Sequence, residues 1–169
     1  MEKDVVDDIL DQWSEERPEL ETASLGIVIR VMALYRSFSR QAADALEPLG
    51  LELFEYDVLS ALRRQGRPFA LSASGLARET GLSSGAMTNR IDKLEGRGLV
   101  RRQHGKADRR SVIVKLTAAG QRVIDKAIQF RLDAANDSLP GLGKRQQKQL
   151  AGLLRKVILH AAANERTSS

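Results

Sequence analysis

Residues 71–116 read LSASGLARETGLSSGAMTNRIDKLEGRGLVRRQHGKADRRSVIVKL, and the order of patterns inside this stretch decides the fold. Two short helical patterns, about 72–79 and 84–97, meet at Thr80-Gly81-Leu82-Ser83, where glycine permits the left-handed backbone of a sharp corner and Ser83 can cap the second helix. From Leu99 to Leu116 helical spacing gives way to alternation, with Val112, Val114 and Leu116 on one face and a tip rich in Gly, Asp and Arg at 105–110. A helix-turn-helix followed by a basic hairpin is a winged helix. The expected class is mainly α with a small β-hairpin.

Moving outward, residues 52–65 predict a helix with Phe54, Val58, Leu59 and Leu62 inward and Arg63-Arg64 at its C-terminal end, where cations suit the dipole. With the stretch above, this makes 51–116 the winged helix-turn-helix domain. Upstream, a long helix from about Thr22 to Leu46 carries two apolar stripes, one through Leu25, Val28, Met32 and Tyr35, the other through Ile27, Val31, Leu34 and Phe38. Two stripes need two partners, and a small winged helix supplies one. Residues 1–23 form an acidic helical arm, with Val5, Val6, Ile9, Leu10 and Trp13 at helical spacing up to Pro18; so short a helix must pack on something. Downstream, one helix has an inward row of Val123, Ile124, Ala127, Phe130 and Ala134. A break at Leu139-Pro140-Gly141 separates it from a last helix, with Leu150, Leu153, Leu154, Val157, Ile158 and Ala161 at helical spacing. Residues 24–50 and 117–163 are expected to be dimerisation helices, and 164–169 a disordered tail.

Charge is distributed unevenly. Residues 1–23 carry nine acids against two bases, whereas 72–116 carry ten bases against four acids, so the positive charge sits on the segment that would face phosphate. The absence of cysteine removes disulfides and thiolate metal sites. His104 and His160 are a poor metal set, no catalytic constellation or phosphate-cradling glycine loop is present, and no cofactor is expected. No apolar run reaches the roughly 18–20 residues that span a bilayer. A soluble, cytoplasmic protein without membrane contact is expected.

The order of elements and several strings resemble the MarR family of bacterial transcription regulators across residues 24–163. The matching residues are 83–95, SSGAMTNRIDKLE, at the second helix of the motif; Gly98-Leu99-Val100 entering the hairpin; and Asp108-Arg109-Arg110 followed by Leu116-Thr117-Ala118-Ala119-Gly120 leaving it. The resemblance implies a homodimer with interlaced N- and C-terminal helices, which accounts for the doubly apolar helix. The acidic arm is similar to the branch of the family that carries an extra N-terminal helix and responds to urate or related small anions. Its marker positions fall here on Trp13, Asp57, Arg90 and Arg102.

On the second helix of the motif, Ser84, Thr88, Asn89 and Lys93 lie opposite the inward row of Met87, Ile91 and Leu94, and with Ser83 form a polar edge able to read bases in a major groove. The plainer reading is an ordinary solvated face, with Asn89 bonded to a neighbour. At the wing, Lys106 and Arg109 suit phosphates. By resemblance Arg110 enters the minor groove and Asp108 pairs with it; alternatively the tip is a surface turn that contacts nothing. Arg90 flanks the inward row and needs a partner, which Asp57 or Glu55 could supply as a structural ion pair or as part of an anion site. Trp13 is either a core plug or a ligand stack.

These readings lead to a homodimeric regulator, a repressor by expectation, that binds a pseudo-palindromic double-stranded operator. A small anionic or aromatic effector, such as urate or another organic acid or phenolic, releases it. The alternative is a ligand-independent winged-helix or architectural DNA-binding protein; an enzyme has no supporting residues.

Overall fold

Met87, Ile91 and Leu94, one row of a single helix, are buried at the centre of the core, and the other elements are arranged around them. The computed structural model describes residues 2–104 and 112–167. In chain order they form α1 (Val5–Glu16), α2 (Ala23–Leu46), a 3-10 turn (Glu47–Leu49), α3 (Leu53–Arg64), β1 (Ala70–Ser72), α4 (Ala73–Thr80), α5 (Ser84–Gly96), β2 (Val100–His104), β3 (Val112–Leu116), α6 (Ala118–Asp137) and α7 (Lys144–Thr167). The chain divides into two units, residues 1–135 and 136–169.

In the first unit α3, α4 and α5 enclose Val58, Leu59, Leu62, Leu76 and the α5 row, and a three-stranded antiparallel sheet closes the core with Val100, Val114 and Leu116. The corner between α4 and α5 is built as its residues require. Gly81 takes φ +68, and the Ser83 hydroxyl accepts the Ala86 amide at 3.3 Å. The expected two-stranded hairpin is extended by β1, which pairs with β3 at Leu71↔Val114, so the sheet order is β1-β3-β2. Three residues are too few to display alternation; β1 exists because β3 offers it an edge.

The acidic arm folds onto its own chain. Asp4 caps α1, accepting from the Val6 and Asp7 amides at 2.8 and 3.0 Å while Asp7 accepts the Asp4 amide at 2.9 Å. Val6 is buried, and α1 comes so close to α2 that a Cβ on Gly26 would lie 2.6 Å from Leu10 Cδ1. Arg30 completes the joint with hydrogen bonds to Asp4 at 2.8 and 2.9 Å and to Asp7 at 2.7 Å.

Both stripes of α2 remain open in the single chain, with Ile27 64% and Tyr35 72% exposed. On α6 Ile124 and Ala127 are buried as expected, but Phe130, expected inward, is 41% exposed. In the second unit α7 leaves Leu153, Val157 and Ile158 exposed. Its helix continues through Asn164 to Thr167, where a disordered tail was expected. Each residue added to an existing helix contributes a backbone hydrogen bond without a new nucleus, so propagation needs no apolar pattern.

Candidate nucleic-acid interface

Helix α5 is anchored by one row and exposed along another. With Met87, Ile91 and Leu94 fixed in the core, Ser84, Gly85, Thr88 and Asn89 face solvent. No acid occupies the first turn, so the partial positive charge of the helix N-terminus is unopposed there. The Thr88 hydroxyl donates to the Ser84 carbonyl at 3.0 Å, which turns its oxygen back on the helix. Ser83 and Ser84 also line a shallow cleft at the α4–α5 corner with Ser74, Leu82 and Arg78. Sequence reasoning passed over Arg78, an exposed cation at the end of α4 whose one trace was its place in the basic tally of residues 72–116.

The C-terminal half of α5 is held by ion pairs. Lys93, expected on the outward polar row, pairs with Glu52 and lies 5.0 Å from the centroid of the Phe54 ring. Arg97, just past the helix, donates to Glu55 Oε2 at 2.5 Å; this carboxylate is fully buried and also accepts the Glu52 amide at 3.0 Å, while its Oε1 has no partner. Arg102 reaches back from β2 to Asp92 at 2.5 Å, to Glu95 at 2.8 Å and to the Thr88 carbonyl at 3.3 Å. Burial opposes its charge, and the bonds to Asp92 and Glu95 more than restore it, holding its pKa above the ordinary arginine value.

The four expected effector residues are therefore distributed over different settings. Arg90 stacks over Phe54 at 4.6 Å and attracts Asp57 electrostatically. Burial pushes the Asp57 carboxyl above its usual range although the residue retains an exposed face, and Arg90, Arg131 and Arg64 pull it back in that order. Glu55, the other partner considered for Arg90, is taken by Arg97. Arg102 is committed to α5. Trp13 is 43% exposed on α1, so it is not a fully buried plug in the single chain. Lys106, Asp108, Arg109 and Arg110 lie outside the described residues.

The Leu-Thr-x-x-Gly string has a structural cause. The Thr117 hydroxyl donates to the Gly98 carbonyl at 2.7 Å and accepts the Gly120 amide at 3.0 Å, capping α6 against the start of β2. A Cβ on Gly120 would lie 2.0 Å from the Leu99 carbonyl oxygen, so glycine alone allows the approach. Among the described residues no helix is long and apolar enough to cross a membrane, and no group of acids and histidines could hold a metal ion.

Known proteins show the same arrangement. The MarR family pattern matches residues 49–111. The HTH-type transcriptional regulator PecS of Dickeya dadantii is 30% identical over 159 residues, which span 94% of this chain and 96% of PecS. Among solved structures, a cysteine-to-serine mutant of MarR from Escherichia coli bound to operator DNA is similar with a TM-score of 0.70 and 25% identity, covering 86% of this chain and 96% of that one. Bordetella bronchiseptica BpsR, described in a study of how 6-hydroxynicotinic acid regulates its DNA binding, is similar with a TM-score of 0.69 and 25% identity, covering 82% and 95%. These relatives are regulators rather than enzymes. With a capped corner ahead of α5, a sheet closing the core behind it and a relative aligned over nearly the whole length, the chain belongs to the MarR family of DNA-binding transcription regulators.

Proposed function

We propose that the protein is a homodimeric repressor that places α5 of each subunit in successive major grooves of a pseudo-palindromic operator of roughly 16–20 base pairs. The observation that carries this is the exposed row of Ser84, Thr88 and Asn89 on a helix whose opposite row is fully buried. Ser83 and the helix N-terminus would meet phosphate, Asn89 a base edge, and Lys93 a phosphate after leaving Glu52. At the wing, Lys106 and Arg109 would track the backbone, and Arg110, oriented by Asp108, would enter the minor groove. A second copy of the chain would cover the open stripes of α2 and the apolar residues of α6 and α7.

Release would come from a small organic anion acting at Asp57 and Arg90, with Trp13 close by in the dimer and Arg102 passing the change to α5 through Asp92 and Glu95. The regulation of BpsR by 6-hydroxynicotinic acid and the electrostatic pull of Arg90 on Asp57 support this reading. Such a ligand must bind the DNA-incompetent state more tightly, since equal affinity for both states shifts nothing.

A mobility-shift titration on the DNA upstream of the protein's own gene, at fixed salt with and without urate or 6-hydroxynicotinate, tests both parts. A complex that dissolves with either acid supports the whole reading. One indifferent to both retains the regulator and rejects these effectors. No complex at low salt rejects the operator proposal.

A further inference from the structure

Arg78 is a cation that the fold does not use. It is exposed in the last turn of α4, and among the described residues its side chain makes no ion pair or hydrogen bond, whereas Arg63, Arg64, Arg97 and Arg102 each hold a carboxylate. The end of α4 does not need it either, because the Gly81 and Leu82 amides donate to the Arg78 and Ala77 carbonyls at 3.4 and 2.9 Å. Glu79, the acid next to it in sequence, is held by Arg64 at 3.1 Å.

The cleft at the α4–α5 corner has a volume of about 530 Å³. From α4 it is lined by Ser74 and Arg78, one helical turn apart, and from the start of α5 by Ser83 and Ser84, with Ala77 and Leu82 as its apolar residues. Its hydroxyls have protons to give. Ser83 Oγ accepts the Ala86 amide at 3.3 Å, which leaves its O–H free to donate. Ser72 Oγ accepts the Gly75 amide at 3.0 Å and lies 3.1 Å from Ser74 Oγ; when Ser72 gives its proton to Ser74, the Ser74 proton is left for a third group. No carboxylate is among the lining residues, so none in the cleft competes for the guanidinium. Ser74, Arg78, Ser83 and Ser84 are all exposed. An open cleft of donors suits the backbone phosphate of a polymer that runs across the surface, whereas a small molecule is usually buried over most of its area in a largely apolar pocket.

We propose that this cleft seats one phosphate of the DNA backbone, with Arg78 as the cation that holds it and the Ser74 and Ser83 hydroxyls as accessory donors. This rests on the reading of α5 as the groove helix and adds to it a contact supplied by α4. The phosphate is gripped from both helices of the motif, across the corner at Gly81. It thereby fixes where along the backbone α5 enters, while Asn89 faces the bases from further along the same helix. A guanidinium suits the task because its flat fork meets two oxygens of one phosphate, where an ammonium acts as a point charge. A contact of this kind carries no sequence information.

Fluorescence-anisotropy titrations of the full chain test the assignment, on the duplex upstream of its own gene and on a scrambled duplex of equal length, at several salt concentrations. Each phosphate neutralised contributes about −0.9 to the slope of log K against log salt. Arg78→Gln should make that slope shallower by about one and weaken binding about fivefold or more at low salt, equally on both duplexes. Arg78→Lys should restore the slope and part of the affinity, and Ser74→Ala should weaken binding about threefold with the slope unchanged. Lys126→Gln, which removes an exposed charge on α6, serves as the charge control and should match the wild type. Thermal melts separate misfolding from lost contact; if Arg78→Gln does not fold, Arg78→Met, which keeps the stem, should show the same loss of slope. A wild-type slope and affinity in Arg78→Gln overturn the phosphate contact and leave the reading of α5 standing. A loss confined to one duplex overturns it too, since Arg78 would then read bases. A wild type that binds neither duplex at low salt overturns the reading of α5, and this inference with it.

Discussion

Arg97 donates to Glu55 at 2.5 Å, tying the end of α5 to a carboxylate that solvent does not reach. Lys93–Glu52 adds a second tie between α5 and the start of α3, and Arg102–Glu95 ties α5 to β2. Helix α5 thus has a braced C-terminal half and an open N-terminal half.

Removing Arg97 leaves Glu55 buried without a cation. Breaking a buried pair from one side costs about 3–5 kcal/mol, and because the Arg97 side chain is 36% exposed the lower end applies. Arg97→Ala should therefore lower unfolding stability by about 3 kcal/mol in urea titrations. A loss below about 0.5 kcal/mol would place this pair with ordinary surface ion pairs.

Gly120→Ala introduces a Cβ 2.0 Å from the Leu99 carbonyl oxygen, a backbone atom that cannot swing aside. The capped start of α6 must then lift from β2, at a cost of about 3 kcal/mol or more. A melting temperature equal to wild type would contradict the close approach.

Asn89→Ala and Glu52→Gln should move DNA affinity in opposite directions. Loss of Asn89 removes a base contact, weakening operator binding by about 1–3 kcal/mol and relaxing preference at one position. Glu52→Gln frees Lys93 for phosphate, so affinity should rise severalfold at low salt and the gain should fade as salt is added. Competition gels at two ionic strengths read both effects; unchanged affinity in Asn89→Ala would remove Asn89 from the interface, and no low-salt gain in Glu52→Gln would remove Lys93.

The joint between α1 and α2 should loosen in acid. Chiefly through its hydrogen bond from Arg30, Asp4 titrates at about 2 instead of the ordinary 3.8. A carboxyl with a depressed pKa stabilises the fold fully above its unfolded value and loses that contribution as pH falls through the folded one. Docking of α1 should thus be intact at neutral pH and give way between roughly pH 4 and 2. The fluorescence of Trp13, the sole tryptophan, should report that step, and Asp4→Asn should remove it. A step of equal size in both proteins would assign it to other carboxylates.

Aspartates at Ile27 and Val31, one turn apart on an open stripe of α2, should shift the protein from dimer to monomer in sedimentation equilibrium. An unchanged mass would move the dimer contact off α2.

What the sequence by itself determined was whatever short-range physics decides. The α5 row of Met87, Ile91 and Leu94 was legible because a 3.6-residue period puts those positions on one face, and the corner because Gly81 and Ser83 act on their immediate neighbours. The two stripes of α2 were legible for the same reason. The tertiary structure alone decided the rest. Strand β1 needs the edge of β3, Glu55 is a surface residue by type until Arg97 arrives from 42 positions away, and α1 docks where Gly26 lets Leu10 approach. Among the described candidate effector residues, an electrostatic pull of Arg90 on Asp57 accompanies no ion pair between them, and the turn of Arg102 toward Asp92 and Glu95 was not expected. A long, flexible cation settles on whichever carboxylates the folded chain brings within reach, and no local pattern records that choice.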